Sequence, residues 1–172
     1  MKLDLVPAAD HPELLAAPVA AALPAGDVRV AAIDAALADT AEFCAAYDVP
    51  LEISANCVIV AGRRGETTRY AACMALATTR LDVNGTVRRL LDARRASFAP
   101  MEDAVALTGM EYGGITPIGI PADWALYVDA RIPELPEIVI GAGIRGAKIV
   151  LPGAVLAGLP GAEVIEGLAI SR

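Results

Sequence analysis

Histidine is almost absent from this chain: His11 is the only one among 172 residues. A histidine-based triad and a histidine-rich metal site are thereby excluded unless His11 folds back to serve one. Lysine is nearly as scarce, with Lys2 and Lys148 alone. Aromatic residues make up 4% of the chain, so a core drawn from its 56% hydrophobic residues must be aliphatic. The three cysteines, Cys44, Cys57 and Cys73, fit no metal-ligand spacing and are odd in number. Reduced, largely buried thiols in a cytosolic protein are the simplest reading. No apolar run reaches the roughly 20 residues of a membrane span. The first residues carry Asp4, Asp10 and Glu13 without a basic cluster, unlike a secretion signal. Ser54, Ser97 and Ser171 have neither a neighbouring base nor a nucleophile-elbow pattern. No metal and no cofactor is expected.

What is present points to one domain spanning residues 1–172, of a size that buries a single sizeable core. The formal net charge of −7 argues against a general nucleic-acid coat protein and against DNA as a partner. The arginines nevertheless fall in pairs, Arg63-Arg64, Arg88-Arg89 and Arg94-Arg95. Such pairs suit either phosphate contacts or a solvated surface.

Residues 12–23 predict an N-terminal helix broken at Pro18, within a helical extension covering residues 1–27. A strand over 27–33 follows, then a helix from Asp39 or Thr40 to Tyr47 with Glu42 as capping-box partner. The continuous apolar run Cys57–Ala61 reads as a strand buried on both faces. It is joined through Gly62–Gly65 to a strand near Arg69–Leu76. Asp82 caps a predicted helix over Val83–Leu91, and Ser97–Ala99 forms a short strand. Pro100 opens a helix as far as Leu107. Strands at Trp124–Asp129, Glu137–Ile140 and Ala147–Leu151, a helix near Gly153–Leu159 and a strand at Glu163–Ile165 complete the series. Intermixed helices, hairpins and crossovers predict a mixed α/β (α+β) domain.

The densest chemical signal is Gly109–Pro121, which packs four glycines and two prolines into thirteen residues. Glycine permits close approach to a ligand and proline stiffens the backbone. Such a loop either joins two elements or presents backbone N–H groups to a carbonyl or anion. Gly141-Ala142-Gly143-Ile144-Arg145-Gly146 also fits a dinucleotide fingerprint, with Glu163 about 20 residues on. The segment that should then be helical, Lys148–Gly153, reads instead as a strand followed by a break. A tight turn facing the same cavity as the first loop fits better.

The element Gly114-Ile115-Thr116-Pro117-Ile118-Gly119 resembles the signature loop of the YbaK/EbsC family, the prolyl-tRNA synthetase-associated domain. The order that follows is similar too: a strand ending in Asp129, a strand into the Gly141–Gly146 turn, an apolar strand and a short helix. The likeness runs from about Val28 to Leu168, most specifically in the C-terminal half. It implies a curled, barrel-like mixed sheet with helices packed outside. It implies hydrolysis in trans of the ester between a wrong amino acid and the terminal adenosine of a tRNA, in the cytoplasm, with the tRNA acceptor end and an aminoacyl-tRNA synthetase as partners. By that resemblance Asn56, Gly114, Ile115 and Thr116 carry the reaction. Pro117, Asp129, Gly143, Ile144, Arg145 and Gly146 bind substrate, with Gly143–Gly146 forming the wall opposite the loop.

One departure matters. Hydrolytic members carry a lysine at the start of the strand that here reads Ser54-Ala55-Asn56-Cys57-Val58-Ile59, and Asn56 occupies its position. Neither lysine of the chain lies close in sequence, so the expected site has no positive charge of that kind. The alternative is therefore a non-catalytic module that binds an aminoacyl-adenosine or another small ligand. Cys57 could be a nucleophile by position, but its apolar strand suits a packing role better.

Overall fold

The computed structural model describes all 172 residues. Eleven strands and five α-helices are interspersed along the chain. In order they are β1 (Val6–Pro7), α1 (Ala17–Ala21), β2 (Arg29–Ala32), α2 (Thr40–Tyr47), β3 (Ala55–Arg64), β4 (Thr67–Leu76), β5 (Thr79–Leu81), α3 (Arg88–Leu90), β6 (Arg95–Phe98), α4 (Met101–Thr108), β7 (Ala125–Asp129), β8 (Ile138–Gly141), β9 (Ala147–Leu151), α5 (Gly153–Ala157), β10 (Ala162–Ile165) and β11 (Ala169–Ser171). None of the helices is long and apolar enough to cross a membrane.

The strands form a five-stranded sheet in the order β10-β7-β4-β3-β6, a four-stranded sheet β1-β2-β9-β8 and a small pair β11-β5. The long β3–β4 hairpin supplies the backbone of the larger sheet, turning at Gly65 with φ +60°. Glycine at the first central position is what a type II′ hairpin turn demands. β7 lies parallel to β4 and β10 parallel to β7, so the sheet is mixed.

Alternation along β4 explains its apolar run. Ala72, Met74 and Leu76 enter the main core, whereas Ala71 and Cys73 enter a second core on the opposite face. A strand covered on both faces reads as continuously hydrophobic. The smaller sheet repeats this arrangement. Ile138, Ile140, Ile149 and Leu151 face the main core, while Val139 and Val150 pack with Phe43 and Cys44 of α2.

The two larger sheets meet at a single isolated parallel bridge, Ser54 to Val139. They diverge from there and are not closed into a barrel. β6 pairs with β3 only over Val60–Arg63, so residues 55–59 have an outer edge outside any ladder. That gap positions the site.

The N-terminal segment is not one helix over 12–23. A 3₁₀ turn at Pro12–Leu14 precedes α1, and Pro18 lies in the first turn of α1. Proline is tolerated there because that N–H has no intrahelical partner. β1 pairs antiparallel with β2, and Ala8, Leu15, Ala16 and Val19 are buried in the main core. The predicted helix over Val83–Leu91 is a π turn, Val83–Val87, followed by the short α3. Asp82 does cap it, accepting from the backbone N–H groups of Gly85 and Thr86 at 3.2 and 3.0 Å.

Candidate functional site

The gap between the diverging sheets is a cleft of about 420 Å³, within the range of small-ligand sites. β3 supplies one wall through Ala55–Ile59. The start of α2 supplies Ala38, Asp39 and Thr40, and the glycine loop supplies Tyr112, Gly113 and Ile115. Gly141 and Lys148 form the rear, and Phe98, Ala99 and Ala104 the far end.

Asn56 is held by a single strong contact: Thr40 Oγ1 donates to its Oδ1 at 2.7 Å. That assignment commits the amide oxygen and leaves the two N–H donors of Nδ2 for the cleft. The expectation of a site without lysine is corrected here. Lys148 comes from β9, and its register partner on β8 is Gly141. A glycine opposite leaves the long side chain room to reach the cleft. Nζ donates to the Ala38 carbonyl oxygen at 3.0 Å and lies 4.9 Å from the centre of the Phe43 ring. Burial holds its pKa below the usual lysine value, with Arg145 adding to the depression and Cys44 and Asp39 opposing it. The sequence does carry a trace of this residue: a lone charge inside the apolar strand Ala147–Leu151.

Cys57 faces the same cleft, but burial pushes its thiol up to about 12. It is protonated at neutral pH and is no nucleophile. No group of three His, Cys, Asp or Glu side chains could hold a metal ion. The polar equipment of the cleft is thus the Asn56 amide, the Lys148 ammonium, the Asp39 carboxylate and Thr40 hydroxyl at the start of α2, the Tyr112 phenol and an unladdered strand edge.

The two glycine turns lie side by side. The Gly143 N–H donates to the Gly114 carbonyl at 2.7 Å, and the Glu111 N–H donates to the Gly143 carbonyl at 2.9 Å. A Cβ on Gly114 would lie 2.6 Å from the Ile144 backbone carbon, and one on Gly141 2.5 Å from the Gly114 oxygen. Glycine is needed because the backbones touch. Arg145 clasps the assembly from the rim. Its guanidinium donates to the Ala35 carbonyl at 3.2 Å and the Tyr112 carbonyl at 3.4 Å, and sits 3.5 Å from Asp39 Oδ1.

Of the residues singled out in the sequence, Asn56 and Ile115 line the cleft. Gly114 is buried behind Gly113, and Thr116 is fully buried beneath the loop, its N–H directed at Met110 Sδ 3.4 Å away. Pro117 is buried too. Gly143, Ile144, Arg145 and Gly146 stand behind the glycine loop, and the wall opposite that loop is β3. Asp129 ends β7 away from the cleft, accepting from the Arg131 N–H at 2.9 Å. Residues 141–146 connect antiparallel β8 to β9 with no helix after them, contrary to the dinucleotide pattern.

The family model for the aminoacyl-tRNA editing domain matches residues 34–159. That span includes the glycine loop, Asn56 and Lys148. No curated protein matches the chain. Among solved structures, a candidate trans-editing enzyme for prolyl tRNA synthetase is similar at 22% identity and TM-score 0.71, over 94% of this chain and 96% of that one. The hypothetical protein APE2540 is similar at 22% identity and TM-score 0.72, over 83% and 91%. A scaffold from computational epitope grafting shows 23% identity and TM-score 0.70, over 82% and 86%. At these identities the likeness is one of fold.

Proposed function

The chain belongs to the aminoacyl-tRNA editing domain family, and on that premise we propose that it hydrolyses, in trans, the ester joining a wrong amino acid to the terminal adenosine of a tRNA. Editing of this kind is needed because small side chains differ too little in binding energy for a synthetase to reject them. The observation that carries the reading is the cleft itself: Asn56 and Lys148, far apart in sequence, present donors to one hollow sized for a small esterified group.

In the proposed reaction a water oxygen bonds to the ester carbonyl carbon, and the bond from that carbon to the ribose oxygen breaks. The water's proton ends on the ribose hydroxyl, releasing free amino acid and tRNA. Lys148 Nζ and Asn56 Nδ2 stabilise charge on the carbonyl oxygen as it develops. A depressed lysine pKa makes the ammonium a readier proton donor to the departing oxygen. An ester is already activated, so positioning and oxyanion stabilisation supply most of what is needed. The glycine loop, stiffened by its packing on Gly141–Gly146, holds the aminoacyl end. The tRNA acceptor end, a synthetase partner and a cytoplasmic location belong to this proposal.

The test is a panel of Ala-, Ser- and Cys-charged tRNAs. Deacylation above the buffer rate for at least one is the expected result, and none above it would overturn the reading. Asn56 favours a second reading, a module that binds aminoacyl-adenosine without cleaving it. In that case Asn56→Lys creates activity where the native protein shows none.

A further inference from the structure

Four arginines without carboxylate partners converge beside the cleft. Arg63, Arg88, Arg94 and Arg95 line a shallow groove of about 580 Å³ that contains no acidic side chain. None of them takes part in an ion pair, whereas Arg29, Arg64, Arg131 and Arg145 each sit against an Asp or Glu. In a chain with net charge −7 the local excess is a departure. It is also built in. Arg63 and Arg95 are register partners on β3 and β6, and the Arg94 N–H donates to the Arg63 carbonyl at 2.9 Å. Arg88 is tied back by Nε to the Asn84 carbonyl at 2.8 Å. Like charges directly opposite on paired strands destabilise a sheet. A fold that places them there with no counter-ion has a use for an anion.

Phe98 closes β6 and lines both the groove and the cleft, with 66% of its surface exposed. The groove therefore leads past an exposed aromatic ring into the cleft. Guanidiniums that track phosphates, followed by a ring on which a base stacks, are the elements of single-strand recognition.

We propose that the groove of Arg63, Arg88, Arg94 and Arg95, with Phe98 at its end, binds the phosphate backbone of the RNA strand whose 3′ terminus enters the cleft. This assignment rests on the editing reading and supplies the contact that an acidic surface otherwise denies the tRNA.

The probe is an uncharged RNA hairpin with a single-stranded 3′ overhang, titrated against the full chain by fluorescence anisotropy at several salt concentrations. The double variant Arg63→Gln, Arg95→Gln lowers the slope of log K against log salt by about 1.4, two phosphate contacts at roughly 0.7 each. Phe98→Ala weakens binding about tenfold and leaves the slope unchanged. Lys2→Gln with Arg29→Gln, a charge-matched pair outside the groove, leaves both unchanged. The four arginines and Phe98 are exposed, and an unaltered melting curve verifies the fold. Absence of RNA binding by the native protein, or an equal slope in the groove variant, overturns the assignment.

Hydrolysis of the phosphate-free substrate aminoacyl-adenosine by the native protein separates the two claims. Hydrolysis without groove-dependent binding sinks the groove alone. Groove-dependent binding without deacylation of any charged tRNA sinks the editing activity and leaves the groove standing.

Discussion

Replacing Lys148 with methionine removes the one ammonium in the cleft and keeps most of the stem. Two effects separate. On stability, the Ala38 carbonyl loses its 3.0 Å donor and Phe43 loses a cation 4.9 Å from its ring. An unpartnered carbonyl costs about 1–3 kcal/mol and the cation–π contact contributes about 0.5–2 kcal/mol. Against these stands relief of the desolvation that depresses the lysine pKa. The thioether keeps contact with Phe43. A net loss of about 1–2 kcal/mol is expected, which lowers Tm by roughly 2–8 °C in a domain of this size. On catalysis, removing a donor to the developing oxyanion lowers kcat by about 10²–10³. The assay is single-turnover deacylation of a mischarged tRNA, well below the variant's Tm. A kcat within about threefold of the native value, less than 1 kcal/mol of barrier, would refute the role given to Lys148.

Three further outcomes are expected. Asn56→Lys brings a second ammonium near Lys148; it creates deacylation only if the native protein is a binder, and a native rate that stays level or falls marks Asn56 as part of a working site, as steady-state kinetics will show. Gly141→Ala puts a methyl 2.5 Å from the Gly114 oxygen and 2.9 Å from the Ile115 oxygen; overpacking of this kind costs about 1–3 kcal/mol, measurable by urea denaturation, and displaces the loop enough to depress deacylation. Stability falls as pH rises through the window from about 9 to about 12. Burial raises the folded pKa of Cys57 to about 12 and also raises Cys73. The native state therefore keeps protons that the unfolded chain has released, and stability fully present below about pH 9 is lost as pH climbs. Lys148, with a depressed folded pKa, works the other way but is a single group. Urea midpoints measured across the window should decline, and Cys57→Ala should flatten the decline.

Local signals were legible wherever chemistry and periodicity coincide. The Asp82 cap, the β3–β4 hairpin and the strands on either side of Gly141–Gly146 all follow from residues adjacent in sequence. Pro18 misled because a proline in mid-sequence of an alanine-rich stretch reads as a breaker, and only tertiary packing makes it a helix opener. β5 and β11 pair across more than 80 residues, so neither has a local signature. The cleft divides in the same way. Asn56 is picked out by the family resemblance, as the residue at the lysine position, but Lys148 reaches the cleft only through the β8–β9 register and the docking of α2. Asp129 shows the reverse: a polar residue closing an apolar strand looks like a ligand group, yet it lies away from the cleft, its Oδ1 accepting from the Arg131 N–H in a local turn and its buried Oδ2 without a hydrogen-bond partner.

Ala38, Ala55, Ala99, Ala104, Gly113 and Gly141 make up much of the boundary of the hollow. The alanines have one methyl each to lose and the glycines nothing, so mutation at these six positions works chiefly toward a tighter chamber that rejects bulkier guests. Widening of its tolerance falls instead to the few large side chains on the boundary, Ile115 and Tyr112 of the glycine loop and Phe98 at the far end.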